Sequence, residues 1–318
     1  MIVKPILIIG PPRSGTSLLQ KILRNHPALW SLPSESDVIW DIHCHPRLHD
    51  WKSESLTKAD ITPEIKSDIL KRFERYLCPA HFWKPLERSN LIWGFNRVRL
   101  LRKVLRPVYQ YVFPVSQMLF SGENTKRIVE KTASNCFRME FINEIFPDAK
   151  IIYPTRDGRN TINSLMNGWL HPDRFFTYNL PVKLNIRGYG YDQWNFVLPP
   201  HWRDYINLPL EEVCAFQWQA CHQAVQEEIH KPEYVDRVLQ IKLEELASDT
   251  SYWLKKIVDF VELPYDNYFR EIADRLPVIN SPDNDISTEK WKQQQHRGEI
   301  ERIIPRIQPT MQVLGYHE

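Results

Sequence analysis

The chain opens with the stretch Pro5-Ile-Leu-Ile-Ile-Gly10-Pro-Pro-Arg-Ser-Gly15-Thr-Ser-Leu-Leu19, which decides the fold. Residues 3–9 are a short apolar run that ends at a glycine and two prolines, as is typical of a buried parallel strand. Apolar residues then recur at helical spacing from Thr16 to Asn25, and Pro27 stops the helix. The pattern therefore predicts a strand, a glycine loop and a helix.

The loop in this stretch keeps the Gly-x4-Gly spacing of a Walker A loop, from Gly10 to Gly15. In such a loop, backbone N–H groups and the positive end of the helix dipole hold phosphate oxygens, and the hydroxyls of Thr16 and Ser17 add donors. A Walker loop has Lys directly after its second glycine, but Thr16 stands there and the cation, Arg13, lies inside the loop. The spacing thus favours an anion-binding site, but one without the lysine that binds β- and γ-phosphates in Walker loops. The alternative is a turn that only packs strand on helix.

A second strand, loop and helix is predicted between Ile151 and Ser164. Arg156 lies at the carboxyl end of the strand, and Ser164 lies two turns into the helix. Ligands of open α/β sheets bind at the carboxyl ends of strands, so two such loops suit a ligand with anionic groups at two ends. The alternative is that Arg156 pairs structurally with Asp157 and that Ser164 is an ordinary polar residue of a helix face.

The rest of the chain continues the alternation of strands and helices. Further strands are predicted at 128–130, 150–154 and 238–241. Helices are predicted at 62–77, 136–146, 159–166, 211–230, 252–261 and 299–314. The alternation indicates a single α/β domain over residues 1–318, with a P-loop-like parallel sheet flanked by helices. Residues 36–126 and 168–210 are less regular and are predicted as helical or irregular insertions.

Charge and hydropathy exclude several classes of protein. The formal net charge is only +2 over 318 residues, so neither nucleic acid nor a membrane surface is an expected partner. The N-terminus lacks the pattern of a signal sequence, and no apolar run approaches the ~18–20 residues that span a bilayer. These features predict a cytoplasmic enzyme.

Cysteines and histidines give no metal-binding pattern. The five cysteines are odd in number and have no CxxC spacing, which argues against a disulfide framework and a structural zinc site. His43, His45 and His49 come nearest to a ligand cluster, but partner ligands at standard spacing are absent from the sequence around them. No metal is therefore predicted.

Taken together, the motifs resemble those of sulfotransferases that use 3′-phosphoadenosine 5′-phosphosulfate (PAPS), and most of all the bacterial and tyrosyl-protein branch. The stretch from Gly10 to Leu19 resembles the 5′-phosphosulfate-binding loop, in the variant with Arg in place of Lys. The central block of the family is matched by Glu130-Lys-Thr132, Phe146-Pro-Asp-Ala-Lys150 and Arg156-Asp-Gly-Arg159. Two later family segments are matched by Leu243-Glu-Glu-Leu246 and Leu314-Gly-Tyr316.

The resemblance implies a role for individual residues. The 5′ end of the donor is assigned to Arg13, Ser14, Gly15, Thr16, Ser17 and Leu18. The 3′-phosphate is assigned to Arg156 and Ser164. Lys131 resembles the catalytic lysine of the family, and the Arg13 guanidinium can stabilise charge that builds on the bridging oxygen. An ion pair between Lys131 and Glu130 is the alternative for that lysine.

The chain departs from the family at two positions. A tyrosine that often lies beside the adenine is replaced by Lys242, which leaves the adenine contact unassigned. The late Arg-Lys-Gly segment that closes the 3′-phosphate site is missing, and Lys290 or Trp291 is expected to substitute for it. A surface helix that starts at Ser287 is the alternative.

The general base is predicted to be Glu35, which follows the first helix and is expected to return toward the donor loop. A carboxylate close to the start of the next helix is the alternative role for Glu35. His43 or His45 is the alternative base, because histidine serves in other branches.

The sequence therefore predicts metal-independent, in-line transfer of a sulfuryl group from PAPS to a hydroxyl or amine, which leaves 3′-phosphoadenosine 5′-phosphate (PAP). A P-loop kinase of a small metabolite and a non-catalytic nucleotide-binding module are the alternatives. The Trp and Tyr content of 36–126 and 168–210 favours a small organic molecule or a sugar as acceptor. A tyrosyl peptide is the second candidate, and the sequence does not predict an oligomeric state.

Overall fold

The computed structural model describes residues 1–32, 35–79, 125–175, 177–275 and 290–316. Its strands are β1 (Ile6–Ile8), β2 (Trp30–Ser31), β3 (Cys78–Pro79), β4 (Ile128–Lys131), β5 (Lys150–Thr155), β6 (Thr177–Tyr178), β7 (Trp194–Asn195) and β8 (Val238–Lys242). Strands β6 and β7 form a separate antiparallel pair. The other strands form one sheet in the order β3-β2-β4-β1-β5-β8, parallel throughout except for the β2–β3 pair.

The helices are α1 (Thr16–Arg24), α2 (Asp37–Cys44), α3 (Pro63–Tyr76), α4 (Met139–Ile145), α5 (Gly158–Trp169), α6 (Leu210–Ile229), α7 (Leu243–Ser248), α8 (Thr250–Phe260), α9 (Asn267–Arg275) and α10 (Arg297–Val313). The predicted helices are present, and α2 and α9 have no counterpart among them. Among the described residues, none of these helices is long and apolar enough to cross a membrane.

Strand β1 lies inside the sheet, between β4 and β5, and its side chains are buried on both faces. Leu7 and Ile9 pack into one apolar cluster with residues of α3 to α6 and α10. Ile6 and Ile8 point to the other face and pack with residues of α1, α7, α8 and α9. A strand with helices on both sides reads as a continuous apolar run. The predicted fold class, a mostly parallel sheet flanked by helices, is confirmed.

The predicted helix at 136–146 is wrong at its start. A short 3₁₀ helix covers Ala133–Phe137, and α4 begins only at Met139. Side-chain bonds explain the break: Asn135 Nδ2 donates to Glu130 Oε2 at 2.7 Å, and Arg138 Nε donates to Asn135 Oδ1 at 2.8 Å. The backbone of Arg138 leaves the helical region, with φ −142°.

The two predicted insertions are ordered where the structure describes them. The first contains α2 and α3, while its residues 80–124 lie outside the described part of the chain. The second contains the β6–β7 pair. Glu54 joins the two: its Oε2 accepts from the backbone N–H of Leu198 at 2.7 Å, and its other oxygen accepts from the hydroxyls of Ser134 and Tyr178.

A buried histidine of α6 contacts strand β5. His222 is fully buried, and its Nδ1 is hydrogen-bonded to the hydroxyl of Tyr153. Its Nε2 has no hydrogen-bond partner among the described residues. Burial lowers the pKa of His222 from 6.5 to about 3, because the charged form is not solvated there.

We expect His222 to lower the stability of the protein in acid. His222 takes up a proton below about pH 6.5 in the unfolded chain but only near about pH 3 in the folded chain. Its contribution to the free energy of unfolding therefore falls by about 1.4 kcal/mol for each pH unit between these two values. Urea unfolding from pH 7 to pH 4 measures this slope. His222→Gln keeps a polar group for Tyr153 and should flatten the slope, whereas the control His230→Gln, at an exposed position, should not. Equal slopes in all three proteins would contradict the prediction.

Candidate active site

The first glycine loop follows β1 and ends at the start of α1. Arg13 and Gly15 both adopt positive φ, 72° and 93°. A Cβ atom at Gly15 would lie 2.8 Å from the Leu243 side chain, so glycine is required there by backbone conformation and by space. The Ser14 hydroxyl donates to the Pro11 carbonyl at 2.6 Å and is buried. The loop is thus a rigid turn whose helix end presents the hydroxyl-bearing residues Thr16 and Ser17.

The structure brings the two predicted anion loops into direct contact. Arg156 Nη1 donates to the Arg13 carbonyl at 3.3 Å, and Arg13 Nε donates to Ser164 Oγ at 2.9 Å. Burial and then the neighbouring Arg156 charge lower the pKa of Arg13 to about 10. Burial also lowers the pKa of Arg156. Two like charges therefore lie side by side at the carboxyl ends of adjacent strands β1 and β5.

The predicted alternative for Arg156, a structural pair with Asp157, is not what the structure shows. Asp157 binds Arg159 instead, at 2.6 Å, and accepts from the Arg159 backbone N–H at the start of α5. Arg156 Nε is buried and has no hydrogen-bond partner in the described part of the chain. A buried guanidinium N–H without an acceptor is costly, so this edge is suited to an anion.

The second loop is braced by the family segments near the end of the chain. Glu244 Oε1 accepts from the Asp157 backbone N–H at 3.0 Å, and Glu244 Oε2 accepts from the Tyr316 hydroxyl at 2.8 Å. Lys242 donates to the Gly315 carbonyl at 2.7 Å, and its ammonium group lies 4.9 Å from the centre of the Tyr316 ring. The departure at Lys242 therefore has a structural use, which is to hold the Leu314-Gly-Tyr316 segment.

Lys131, at the end of β4, forms an ion pair with Glu35, its predicted catalytic partner. The Lys131 side chain is 6% exposed and that of Glu35 is 33% exposed, so the carboxylate is the accessible member. The alternative partner, Glu130, is instead buried and accepts from Trp40 Nε1 at 3.0 Å and from Thr132 Oγ1 at 2.7 Å. Burial raises the pKa of Glu130, and its oxygens are taken up by these donors rather than by Lys131.

Further carboxylates lie near Asp37, which interacts electrostatically with Glu35, Asp41 and Glu54, and the sequence analysis did not single them out. Burial, followed by the charges of Glu35 and Asp41, raises the pKa of Asp37 well above its usual range. Burial raises the pKa of Glu54 as well. No local pattern marks these residues, because they are brought together only by α2 and by the contacts of Glu54 with distant segments.

His43, His45 and His49 do not converge. His43 Nε2 lies 2.7 Å from Asp68 Oδ2, while His49 Nε2 lies 3.1 Å from the His43 carbonyl. His45 Nδ1 accepts from the Arg47 backbone N–H at 3.0 Å, and burial lowers the pKa of His45. Over the described ranges, no three side chains of His, Cys, Asp or Glu are grouped as metal ligands.

Trp291 lies against the start of α5. It is 4% exposed, its backbone N–H donates to Asn160 Oδ1 at 3.0 Å, and the Arg159 guanidinium lies 5.8 Å from its ring centre. Lys290 precedes it and is half-buried. The predicted surface start at Ser287 lies outside the described residues. Trp291 is therefore part of the packed end of the second loop.

The structure is thus an α/β protein in which two arginine-bearing loops meet at the carboxyl ends of the strands. A family model described as the sulfotransferase family matches residues 5–267. The chain therefore belongs to the sulfotransferase family.

Curated relatives are tyrosine-directed enzymes by name. The protein-tyrosine sulfotransferase of Drosophila melanogaster is 22% identical over 330 residues, which cover 98% of this chain and 51% of that protein. Protein-tyrosine sulfotransferase A of Caenorhabditis elegans is 21% identical over 273 residues, which cover 82% and 50%. The chain spans about half the length of both relatives.

Solved sulfotransferases are similar at low identity. Sulfotransferase STF9 from Mycobacterium avium has a TM-score of 0.49 and 15% identity, with 100% of this chain and 78% of that chain covered. Mouse sulfotransferase SULT7A1, solved in complex with PAP, has a TM-score of 0.42 and 13% identity, with coverage of 98% and 87%.

Proposed function

We propose that this sulfotransferase uses PAPS as its donor and transfers the sulfuryl group to a hydroxyl or amine of an acceptor. One observation carries the proposal. Arg156 has a buried Nε atom without a partner among the described residues, and it lies against Arg13, whose pKa is lowered by burial and then by the Arg156 charge. A bound anion would accept from Arg156 and would offset the repulsion between the two guanidinium groups.

The residues at this edge fit a donor with two anionic ends. Arg13 and the turn from Ser14 to Leu18 would hold the 5′-phosphosulfate, with backbone N–H groups at the start of α1. Arg156 and Ser164 would hold the 3′-phosphate, with Lys290 and Trp291 beside the start of α5. When bound, PAPS supplies an activated sulfuryl group on a phosphate leaving group.

The acid–base work is assigned to the pair at the end of β4. Glu35 accepts the proton of the acceptor hydroxyl, since it is the exposed member of the pair. The Lys131 ammonium lies beside it and stabilises negative charge. Arg13 offsets the charge left on the bridging oxygen. His43 and His45 remain alternative bases, although Asp68 already engages His43.

The acceptor is proposed first as a small organic molecule or a sugar, because aromatic rings of both insertions meet near Glu54. The ring of His45 lies 5.5 Å from those of Trp51 and Tyr178, in edge-to-face arrangements. A tyrosyl peptide is the second candidate, and the names of the curated relatives favour it.

Titration with PAP and with Mg-ATP tests the proposal. We expect PAP to bind tightly with or without EDTA, because the loop carries Arg13 rather than a Walker lysine. Calorimetry measures both affinities. A preference for Mg-ATP would instead indicate a P-loop kinase. Binding of PAP without transfer to any member of a panel of phenols, sugars, amines and tyrosyl peptides would indicate a nucleotide-binding module.

A further inference from the structure

The side chain of Arg13 is held from two sides, and only one of them belongs to the predicted donor site. Ser164 Oγ accepts from Arg13 Nε at 2.9 Å. On the other side the centre of the Phe175 ring lies 5.3 Å from the guanidinium carbon. A guanidinium at this distance from an aromatic ring is attracted by the ring quadrupole.

The Phe175 ring is itself fixed by the second insertion. It packs at 5.1 Å, centre to centre, against the ring of Phe196. Phe196 is buried, and its ring fills the space where a side chain at Gly168 would lie, 2.4 Å from the position of a Cβ atom. Phe196 adopts φ 63°, which bulky residues rarely do, so tertiary contacts hold it in place. The pair is therefore a fixed support at the end of α5.

The two contacts of Arg13 differ in what happens to them when a ligand binds. Ser164 is the residue assigned to the 3′-phosphate, whose oxygens would compete for its hydroxyl. Phe175 has no polar group to offer a ligand, so its contact with Arg13 persists. The ring is thus the contact that orients Arg13 while a donor is bound.

We propose that Phe175 is a positioning residue of the sulfuryl-transfer reaction, which holds the Arg13 guanidinium in the orientation that stabilises the leaving group. This inference rests on the proposed function. It assigns to the second insertion a part in catalysis, in addition to its part in lining the acceptor side.

The test is a double-mutant cycle on Arg13 and Phe175. Phe175→Leu should lower kcat for transfer from PAPS by about 3- to 30-fold, as expected for loss of a partly desolvated cation–π contact. The dissociation constant for PAP should change by less than about threefold on the same scale, because the apolar ring offers the nucleotide no hydrogen bond. In an Arg13→Ala background, Phe175→Leu should have no further effect on kcat.

Two variants control for packing. Phe175→Tyr keeps the aromatic face and should restore kcat. Phe260→Leu, on α8 and away from the site, is the second control. It removes a similar contact, in which the Lys150 ammonium group lies 4.9 Å from the centre of the Phe260 ring, and it should leave kcat unchanged. Thermal unfolding of each variant shows whether it is folded. Should Phe175→Leu fail to fold, Phe175→Met replaces it in the cycle.

The outcomes separate the inference from the proposed function. A wild-type protein that does not bind PAP, or transfers nothing from PAPS, would overturn the proposed function and the inference with it. If the wild-type protein is active, two results would overturn the inference alone. One is that Phe175→Leu lowers kcat equally with and without Arg13, and the other is that it does not lower kcat at all.

Discussion

Glu35→Gln should lower the rate of sulfuryl transfer by roughly 100- to 10,000-fold, the usual contribution of a general base. The carboxamide oxygen of the variant can still accept a hydrogen bond from Lys131, so the contact keeps its hydrogen bond but loses the negative charge. Binding of PAP should be unchanged, because Glu35 is not among the residues assigned to the donor. Steady-state transfer to a phenol or sugar acceptor and calorimetric titration with PAP measure the two effects.

Exposed Glu271 on α9 supplies a matched control for this experiment. Glu271→Gln makes the same chemical change away from the site and should leave both quantities unchanged. Full turnover of Glu35→Gln would show that Glu35 is not the base, and would move the assignment to His43 or His45.

Arg156→Ala should weaken PAP binding by roughly 10- to 100-fold, the range expected when a charged hydrogen-bond donor to a buried anion is lost. Adenosine 5′-monophosphate, which lacks the 3′-phosphate, should bind the variant and the wild-type protein equally. The selectivity follows from the position of Arg156, whose Nε is buried without a partner among the described residues and whose Nη1 donates to Arg13, the residue that bonds Ser164. Titrations of both ligands against both proteins measure it.

Arg270→Ala is the control for loss of positive charge, because Arg270 is exposed on α9 and bonds only locally to Asn267 among the contacts described. Its affinity for both ligands should equal that of the wild-type protein. Equal weakening of PAP and adenosine 5′-monophosphate by Arg156→Ala would remove its assignment to the 3′-phosphate.

The fold could be predicted largely from local patterns. Arg13 and Arg156 each lie in a loop between a strand and a helix. Both units were visible in the sequence as an apolar run that stops at glycine or proline and is followed by apolar residues at helical spacing. Buried parallel strands are continuous apolar segments, so their sequence signal is strong. The short strands β2 and β3 were not predicted, since two-residue pairings depend on neighbours in space rather than on a period.

The sequence predicted which residues belong to the candidate site better than it predicted the contacts between them. Glu35, Lys131, Arg13, Arg156 and Ser164 were all proposed from sequence, and the structure brings them to one edge of the sheet. That Arg13 bonds Ser164, and that Lys131 pairs with Glu35 rather than with Glu130, depends on packing between segments more than 90 residues apart. The catalytic and binding roles of these residues stay predictions.

The residues around Glu35 were missed for a related reason. Asp37, Asp41 and Glu54 are unremarkable in sequence, and acidic residues are mostly exposed. Only the fold shows that α2 and the second insertion enclose them, which raises the pKa of Asp37 and Glu54 through burial. Lys242 illustrates the opposite case, since a departure from the family pattern has a plain structural explanation in its bond to the Gly315 carbonyl.

The bonds of Glu54 have a consequence for the order in which the molecule folds. One side chain ties residue 54 to Ser134, Tyr178 and Leu198, across separations of 80 to 144 positions. Contacts this distant in sequence form late, because the chain must first close long loops. The two insertions should therefore form together, and hydrogen exchange should find the β6–β7 region opening with the segment around Glu54, because the same side chain holds both.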